Sequence, residues 1–188
     1  SLYGNLSDIP SSINSLTINT DGVLVGDLSD LPRTGYYELT LKGNSTSFSA
    51  DTSTIPVISG ITFNVEIRGT LTGDLINLFN NITDFPSCIF TLDSNGATSV
   101  TLSYTPATIN WGSIQLNYFI LYTPLSSNLT SSEIDNLLID MDSYLGGVTW
   151  TSCAGSTKSI TLNGSRTVAS DAAVTSLNGK GVTVTISP

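Results

Sequence analysis

The sequence contains no histidine, few cations and no long apolar run, and each shortage narrows what the chain can do. Without histidine the usual general base is missing, and with it any Ser-His-Asp or Cys-His arrangement, so a hydrolase here would have to work with carboxylates alone. Six Lys and Arg stand against fifteen Asp and Glu, a net charge of −9, and from Gly69 to Thr157 there is no Lys or Arg while seven carboxylates occur. Phosphate contacts need cations, which argues against nucleic acid and anionic lipid and points to neutral or basic partners. No apolar stretch approaches the ~18 residues of a membrane span, so no membrane insertion is expected.

Cysteine is scarce as well. Cys88 and Cys153 lie 65 residues apart and fit no metal-site spacing. They are either a disulfide closed by the fold or two small buried apolar residues. No metal or cofactor is expected. The chain opens at Ser1 with no charged n-region or apolar h-region, which predicts an excerpt or a processed form.

Against these shortages stands a repeat. Gly4-Asn5-Leu6-Ser7-Asp8-Ile9-Pro10 corresponds to Gly26-Asp27-Leu28-Ser29-Asp30-Leu31-Pro32, and Leu16-Thr17-Ile18-Asn19 to Leu39-Thr40-Leu41-Lys42. A period of roughly 22 to 24 residues lies in the range of stacked repeats, whose units bury their apolar side only against one another. Leu16 and Ile18, then Leu39 and Leu41, alternate with polar residues as strands with one buried face do. A third unit keeps the turn Ile55-Pro56 and offers Phe63, Val65 and Ile67 inward with Asn64, Glu66 and Arg68 outward. A fourth echoes Gly73-Asp74-Leu75 and carries Ile76, Leu78 and Phe79. Cys88–Leu92 and Ser99–Tyr104 both read as strands, and Asp93-Ser94-Asn95-Gly96 between them predicts an inserted hairpin.

The last third changes character. Thr130-Ser131-Ser132-Glu133 is a capping box, and Ile134, Leu137, Leu138, Met141 and Leu145 follow at helical spacing. A strand over 159–162, a short helix capped by Ser170 and stopped at Gly179, and a final strand with Val182, Val184 and Ile186 complete the chain. Strand, helix, strand at this length implies a parallel, right-handed crossover.

One parallel strand per unit with irregular or helical returns is the leucine-rich-repeat plan, and Leu39-Thr40-Leu41-Lys42-Gly43-Asn44 resembles the Leu-x-Leu-x-x-Asn core of that repeat. The Gly-Asp-Leu-Ser-Asp-Leu-Pro units, with Leu129–Leu138, Ile160–Gly164 and Leu177–Val184, resemble irregular leucine-rich-repeat-like segments of surface proteins and phage structural proteins of gut Bacteroidetes. The expected fold is therefore an α/β solenoid. It is a right-handed coil with a parallel sheet, an irregular convex side and two helices in the C-terminal third. One repeat domain is expected over 1–188, with strand-loop repeats in 1–125 and closing units in 126–188.

Candidate residues for chemistry are few. Glu66 faces outward from a strand that neighbours Glu38 and Asp93, and paired carboxylates at roughly 5 to 9.5 Å can cleave glycosides. Asp8, Asp27, Asp30 and Asp74 read better as turn residues bonding nearby amides. Asp135, Asp140 and Asp142 follow no calcium-loop spacing and read as a solvated helix face. Asn-x-Ser/Thr at Asn5, Asn44, Asn81, Asn128 and Asn163 is no more than a Ser/Thr-rich chain gives by chance. The strongest surface candidates are aromatic: Tyr104, Trp111, Tyr118 and Tyr122 are rings that would stack on neutral sugars or fill a protein interface, or else pack internally. Tyr36, Tyr37 and Trp150 carry the same two readings.

The outward strand residues Thr17, Thr40, Asn64, Glu66, Thr91, Thr161 and Thr183 form a polar ladder suited to broad contact, or simply reflect the strand preference of Thr. The resemblance implies an extracellular setting, on a cell surface or a phage virion. The expected role is a non-enzymatic recognition or adhesion module for a protein or neutral glycan. A structural component of a virion or surface layer, such as a tail fibre, with the chain in a homo-oligomer or larger assembly, is the alternative. A carbohydrate-cleaving enzyme of the tail-spike kind is the third.

Overall fold

The computed structural model describes residues 3–19, 23–31, 36–43, 47–81, 88–108, 116–125, 127–145 and 158–188. In chain order its strands are β1 (Tyr3–Asn5), β2 (Ser15–Asn19), β3 (Val23–Asp27), β4 (Tyr36–Lys42), β5 (Ser47–Asp51), β6 (Ile58–Glu66), β7 (Thr70–Asp74), β8 (Cys88–Asp93), β9 (Ser99–Ser103), β10 (Leu116–Thr123), β11 (Lys158–Asn163) and β12 (Thr183–Ser187). Helix α1 (Leu75–Asn81) follows β7, α2 (Ser131–Leu145) precedes β11, and α3 (Asp171–Gly179) precedes β12. Among the described residues the strands form two open sheets, one in the order β1-β3-β5-β7-β9 and one in the order β12-β11-β10-β8-β6-β4-β2. Every neighbouring pair is parallel. This is an α/β fold with parallel strands.

Up to β9 the chain alternates between the sheets, and the turn that carries it from the five-stranded sheet is built by the repeated acids. Asn5 and Asp27 accept from the amides of Ser7 and Ser29, two residues on, while Asp8 and Asp30 accept from the amides of Asn5 and Asp27. Each is a reciprocal capping box around a three-residue 3-10 turn, over Leu6–Asp8 and Leu28–Asp30. Asp51 and Asp74 make the equivalent bond to Ser53 and Ile76. The turn-building role expected for Asp8, Asp27, Asp30 and Asp74 is thus what they perform. Gly26 has φ +127° and lies so close to the preceding turn that a Cβ would stand 2.7 Å from Asn5 Oδ1. The glycine of Gly-Asp-Leu is therefore where one unit meets the last.

Burial follows the predicted alternation. Leu16, Leu39, Val65 and Ile160, expected in a common interior, all belong to one cluster of buried side chains that runs from Leu6 to Val182. At its centre the register Phe63, Phe90, Phe119 stacks three rings, with centroids 5.4 and 4.9 Å apart and planes within 22° and 15°. Phe79 of α1 meets Phe90 at 6.3 Å. Such pairs add about 0.5–1.5 kcal/mol each beyond their area burial. From β10 onward helices replace the second sheet: Ile134, Leu137, Leu138 and Met141 of α2 and Leu177 of α3 join the same cluster as Ile160 and Leu162.

Several expectations are corrected. The hairpin over 88–104 does not form, because β8 and β9 belong to different sheets. Its turn residues bond to the preceding unit, Asp93 carbonyl to Ile67 amide at 2.7 Å and Thr98 amide to Gly69 carbonyl at 2.8 Å, and this carries the chain across rather than back. The apolar run after Asp74 is the helix α1, a third helix outside the C-terminal third. The strands β1, β3, β5, β7 and β9 form a second sheet where an irregular side was expected. Thr130 and Glu133 do make the predicted capping box. Ser170 does not cap α3 with its side chain; its hydroxyl donates to Asp135 instead.

Candidate functional site

The alternation that turns Phe63, Phe90 and Phe119 inward turns the residues between them to the opposite face of the seven-stranded sheet. Register sorts these into rows across the strands. One runs Ser15, Glu38, Thr62, Ile89, and the next Thr17, Thr40, Asn64, Thr91, Ile120, Ser159, Thr183. A third begins with Asn19 opposite Lys42 and continues through Glu66, Asp93, Tyr122, Thr161 and Thr185. The polar ladder expected from the sequence is contained in these rows.

Three zones succeed one another along this face. On β4 and β6 it is charged: Glu66 lies 3.1 Å from Arg68 and 4.0 Å from Lys42, and Glu38 accepts from the Ser15 hydroxyl at 3.0 Å. Arg68 crosses Gly96, where a Cβ would collide with the guanidinium. On β8 and β10 the face is mixed: Ile89 is 40% exposed and Ile120 and Tyr122 are half-buried, with buried Thr91 and half-buried Asp93 beside them on β8. On β11 and β12 it is lined by the hydroxyls of Ser159, Thr161, Thr183 and Thr185. At the border of the first two zones Asn64 and Thr91 stand in register, and Asn64 Oδ1 and Thr91 Oγ1 are buried without a hydrogen-bond partner among the described residues. Half-exposed ion pairs of this kind contribute about 0–1 kcal/mol, so the charges matter more for what they admit than for stability.

The face gathers some of the predicted site residues and not others. Tyr122, Asn64 and Glu66 lie on it, and Glu66 is in register with Asp93 as its strand order requires. Tyr104 does not. It is 3% exposed, and its hydroxyl donates to Asp140 Oδ2 at 2.8 Å. Burial and the Asp140 carboxylate push that phenol well above its ordinary value. Tyr104 is therefore a packing residue, and Tyr36 is buried likewise. The side chains of Tyr118, Tyr37 and Cys88 and the whole of Trp111, Trp150 and Cys153 lie outside the described residues, as does any Cys88–Cys153 bridge. Ile89 and Ile120 were missed by sequence reading; the signal for them was an aliphatic residue at a position where β4 and β6 carry polar ones.

The helical acids correct another expectation. Asp135 is 4% exposed and accepts from the Thr167 amide at 3.0 Å, the Thr167 hydroxyl at 2.6 Å and the Ser170 hydroxyl at 2.6 Å. Burial alone would push its carboxyl up. The hydroxyls of Ser170 and Thr167, the Thr167 amide and nearby Arg166 outweigh that and hold it below the ordinary carboxylate range. Asp140 bonds Tyr104 and Asp142 pairs with Lys180, so all three have structural partners in place of a solvated face. No group of three or more His, Cys, Asp or Glu side chains among the described residues is arranged to hold a metal ion.

Comparison with protein-family models, with curated proteins and with solved structures finds no match to this chain. Among the described residues no helix is long and apolar enough to cross a membrane.

Proposed function

We propose that this chain is a leucine-rich-repeat-like solenoid of one domain that acts without catalysis, as a recognition module on a bacterial cell surface or phage particle. It engages a protein through the outward face of the seven-stranded sheet. The observation that carries the reading is the zoning of that face. Ile89, Ile120 and Tyr122, with Thr91 and Asp93 beside them, lie between charged and hydroxyl flanks, and aliphatic and aromatic side chains set in a polar surface suit a protein interface. The strand-by-strand alternation between parallel sheets and the single elongated core support the repeat architecture.

A glycan-cleaving reading finds less support. The adjacent carboxylates Glu66 and Asp93 are engaged, Glu66 by Lys42 and Arg68 and Asp93 by the Asn95 amide at 2.8 Å. An acid–base pair needs one of its members free to hold a proton.

The test is binding of the fluorescently labelled chain to cultured gut Bacteroidetes cells, whole and protease-treated, with Ile89→Asp and Tyr122→Ala beside the parent. Protease treatment should abolish binding, and each variant should weaken it by about tenfold or more, the effect of losing a central interface side chain. Undiminished binding by both variants would remove the face from consideration. Binding that survives protease and is competed by neutral oligosaccharides would move the ligand to the glycan class.

A further inference from the structure

Three asparagines in this chain precede a glycine: Asn95, Asn163 and Asn178. An asparagine in that setting can modify itself. The main-chain nitrogen of the next residue attacks the side-chain carbonyl carbon, and glycine, with no Cβ, leaves the approach open and the backbone free to turn into it. The three pairs are alike in sequence and differ in what the fold does to them.

Asn163-Gly164 is held at the attacking nitrogen. Asn163 ends β11 in register with Ser187, and the Gly164 amide donates to the Ser187 carbonyl at 2.7 Å. Gly164 also lies against α2, where an added Cβ would stand 2.8 Å from Ile134 Cδ1. Asn178-Gly179 is held by its helix, because both residues belong to α3 and the Asn178 carbonyl accepts from the Gly181 amide at 3.0 Å. Closing a ring there swings the Asn178 backbone away from helical dihedral angles and unwinds the last turn.

Asn95-Gly96 is restrained least. Asn95 is exposed, and the pair forms the centre of a turn closed by the bond from the Ala97 amide to the Ser94 carbonyl at 2.9 Å. Such a turn gives the amide of its third residue no partner. Among the described residues nothing accepts from the Gly96 amide, and nothing bonds the Asn95 side chain. The one bond on the pair runs from the Asn95 amide to Asp93 Oδ1 at 2.8 Å, on the side away from the reacting atoms.

We propose that Asn95 is a self-modification site, which the folded chain converts to aspartate or isoaspartate while Asn163 and Asn178 are preserved. The Gly96 amide gives its proton to solvent base and its nitrogen bonds to Asn95 Cγ. The bond from Cγ to Nδ2 then breaks, and Nδ2 takes a proton from solvent and leaves as ammonia. The succinimide ring so formed takes up one water. Opening at Cγ gives aspartate; opening at the main-chain carbonyl carbon gives isoaspartate, with Gly96 joined through Cγ. Either product sets a new carboxylate one residue from the glycine that Arg68 crosses, where Glu66 already holds the guanidinium. The isoaspartyl form also lengthens the main chain between Asp93, whose carbonyl holds the Ile67 amide, and Thr98, whose amide holds the Gly69 carbonyl. The change therefore falls on the seam between two units, and it does not depend on what the outward face binds.

Peptide mapping by mass spectrometry tests this on the purified chain held at mildly alkaline pH, with and without guanidinium chloride, circular dichroism confirming that the sample in buffer stays folded. In the folded chain the Asn95 peptide should gain the mass difference between an amide and an acid at least about tenfold faster than the Asn163 and Asn178 peptides, the ratio that ~1.4 kcal/mol on a barrier produces. In guanidinium chloride the three rates should draw together, since each asparagine then precedes an unrestrained glycine. Fragmentation should show isoaspartate as well as aspartate at position 95, and Asn95→Gln should abolish the mass gain in that peptide. Conversion of Asn163 or Asn178 in the folded chain as fast as Asn95 overturns the proposal. So does an Asn95 that stays intact until the chain is unfolded, aspartate without isoaspartate, or a ratio of rates that guanidinium chloride leaves unchanged, because local sequence and not the fold would then set it.

Discussion

Before β10 the inward side of the seven-stranded sheet is covered by a second sheet of strands three to five residues long; beyond β10 it is covered by α2 and α3. The two coverings are tied down differently. In the first region Asp8, Asp27 and Asp30 bond amides two or three residues away, so each turn is fixed by its own sequence. In the second, Asp135 reaches Thr167 and Ser170 across 32 and 35 residues, Asp140 reaches Tyr104 across 36, and Lys180 reaches Asp142 across 38. A short strand held by its neighbours needs only a local turn, whereas a helix laid on a sheet is free to slide and roll until long-range polar contacts fix it. The lesson is that one kind of side chain, the carboxylate, serves both ends: the repeated turns use it for local geometry, with Asp51 and Asp74 reaching on to Thr72 and Thr105 of later units, and the helices use it for docking.

The largest effect is expected where the regions join. Phe90 touches Phe63 and Phe79 on one side and Phe119 of β10 on the other. Phe90→Ala should cost about 3–5 kcal/mol in urea unfolding, with far-UV ellipticity and the tyrosine near-UV signal lost at the same denaturant concentration. Helical signal that outlasts the tyrosine transition would mean that the regions unfold separately and share less than the aromatic row suggests.

Next comes the docking of the helices. Asp135→Ala leaves the Thr167 amide and the buried Ser170 hydroxyl without their acceptor, and should destabilise by about 2–4 kcal/mol. The acid dependence has a defined sign. With its folded pKa depressed, Asp135 contributes stability that is fully present above the unfolded carboxyl value of about 3.9 and is lost as pH falls through the lower folded value. Glu133, held low chiefly by the Thr130 hydroxyl, and Asp51, held low chiefly by the Ser53 hydroxyl, act in the same direction. Stability measured by urea midpoint should therefore fall below about pH 4, and less steeply in Asp135→Asn.

The smallest change is expected in the repeated turns. Asp27→Ala removes one half-exposed cap and should cost about 1 kcal/mol, read from the same midpoint. A loss as large as that of Asp135→Ala would erase the distinction between local and long-range roles.

Much of the seven-stranded sheet was legible because Leu16, Ile18, Leu39, Leu41, Phe63 and Val65 alternate cleanly with polar residues, and α2 because Thr130 and Glu133 announce its start. The second sheet was not legible. Val23–Asp27 and Thr70–Asp74 are short and lead straight into Asp-capped turns, and such stretches read as loops until a neighbour supplies the other half of each hydrogen bond. α1 was hidden for a related reason, since its seven residues are mostly apolar and carry no helical period. Of the candidate face, the polar rows could be read from single strands. Its aliphatic residues could not, because Ile89 and Ile120 come one diagonal step apart on adjoining strands only through the register of β8 with β10. Which of its two readings holds for Tyr104, binding or packing, was not legible, because a ring at a strand end says nothing of the carboxylate waiting 36 residues away.

The strict division of each strand into inward and outward side chains has a consequence for how this molecule can change over generations. Because backbone bonds and the interior hold the scaffold, residues such as Ile89, Ile120 and Tyr122 can be exchanged without asking the fold for permission. A lineage can rewrite that surface letter by letter while inheriting the same frame.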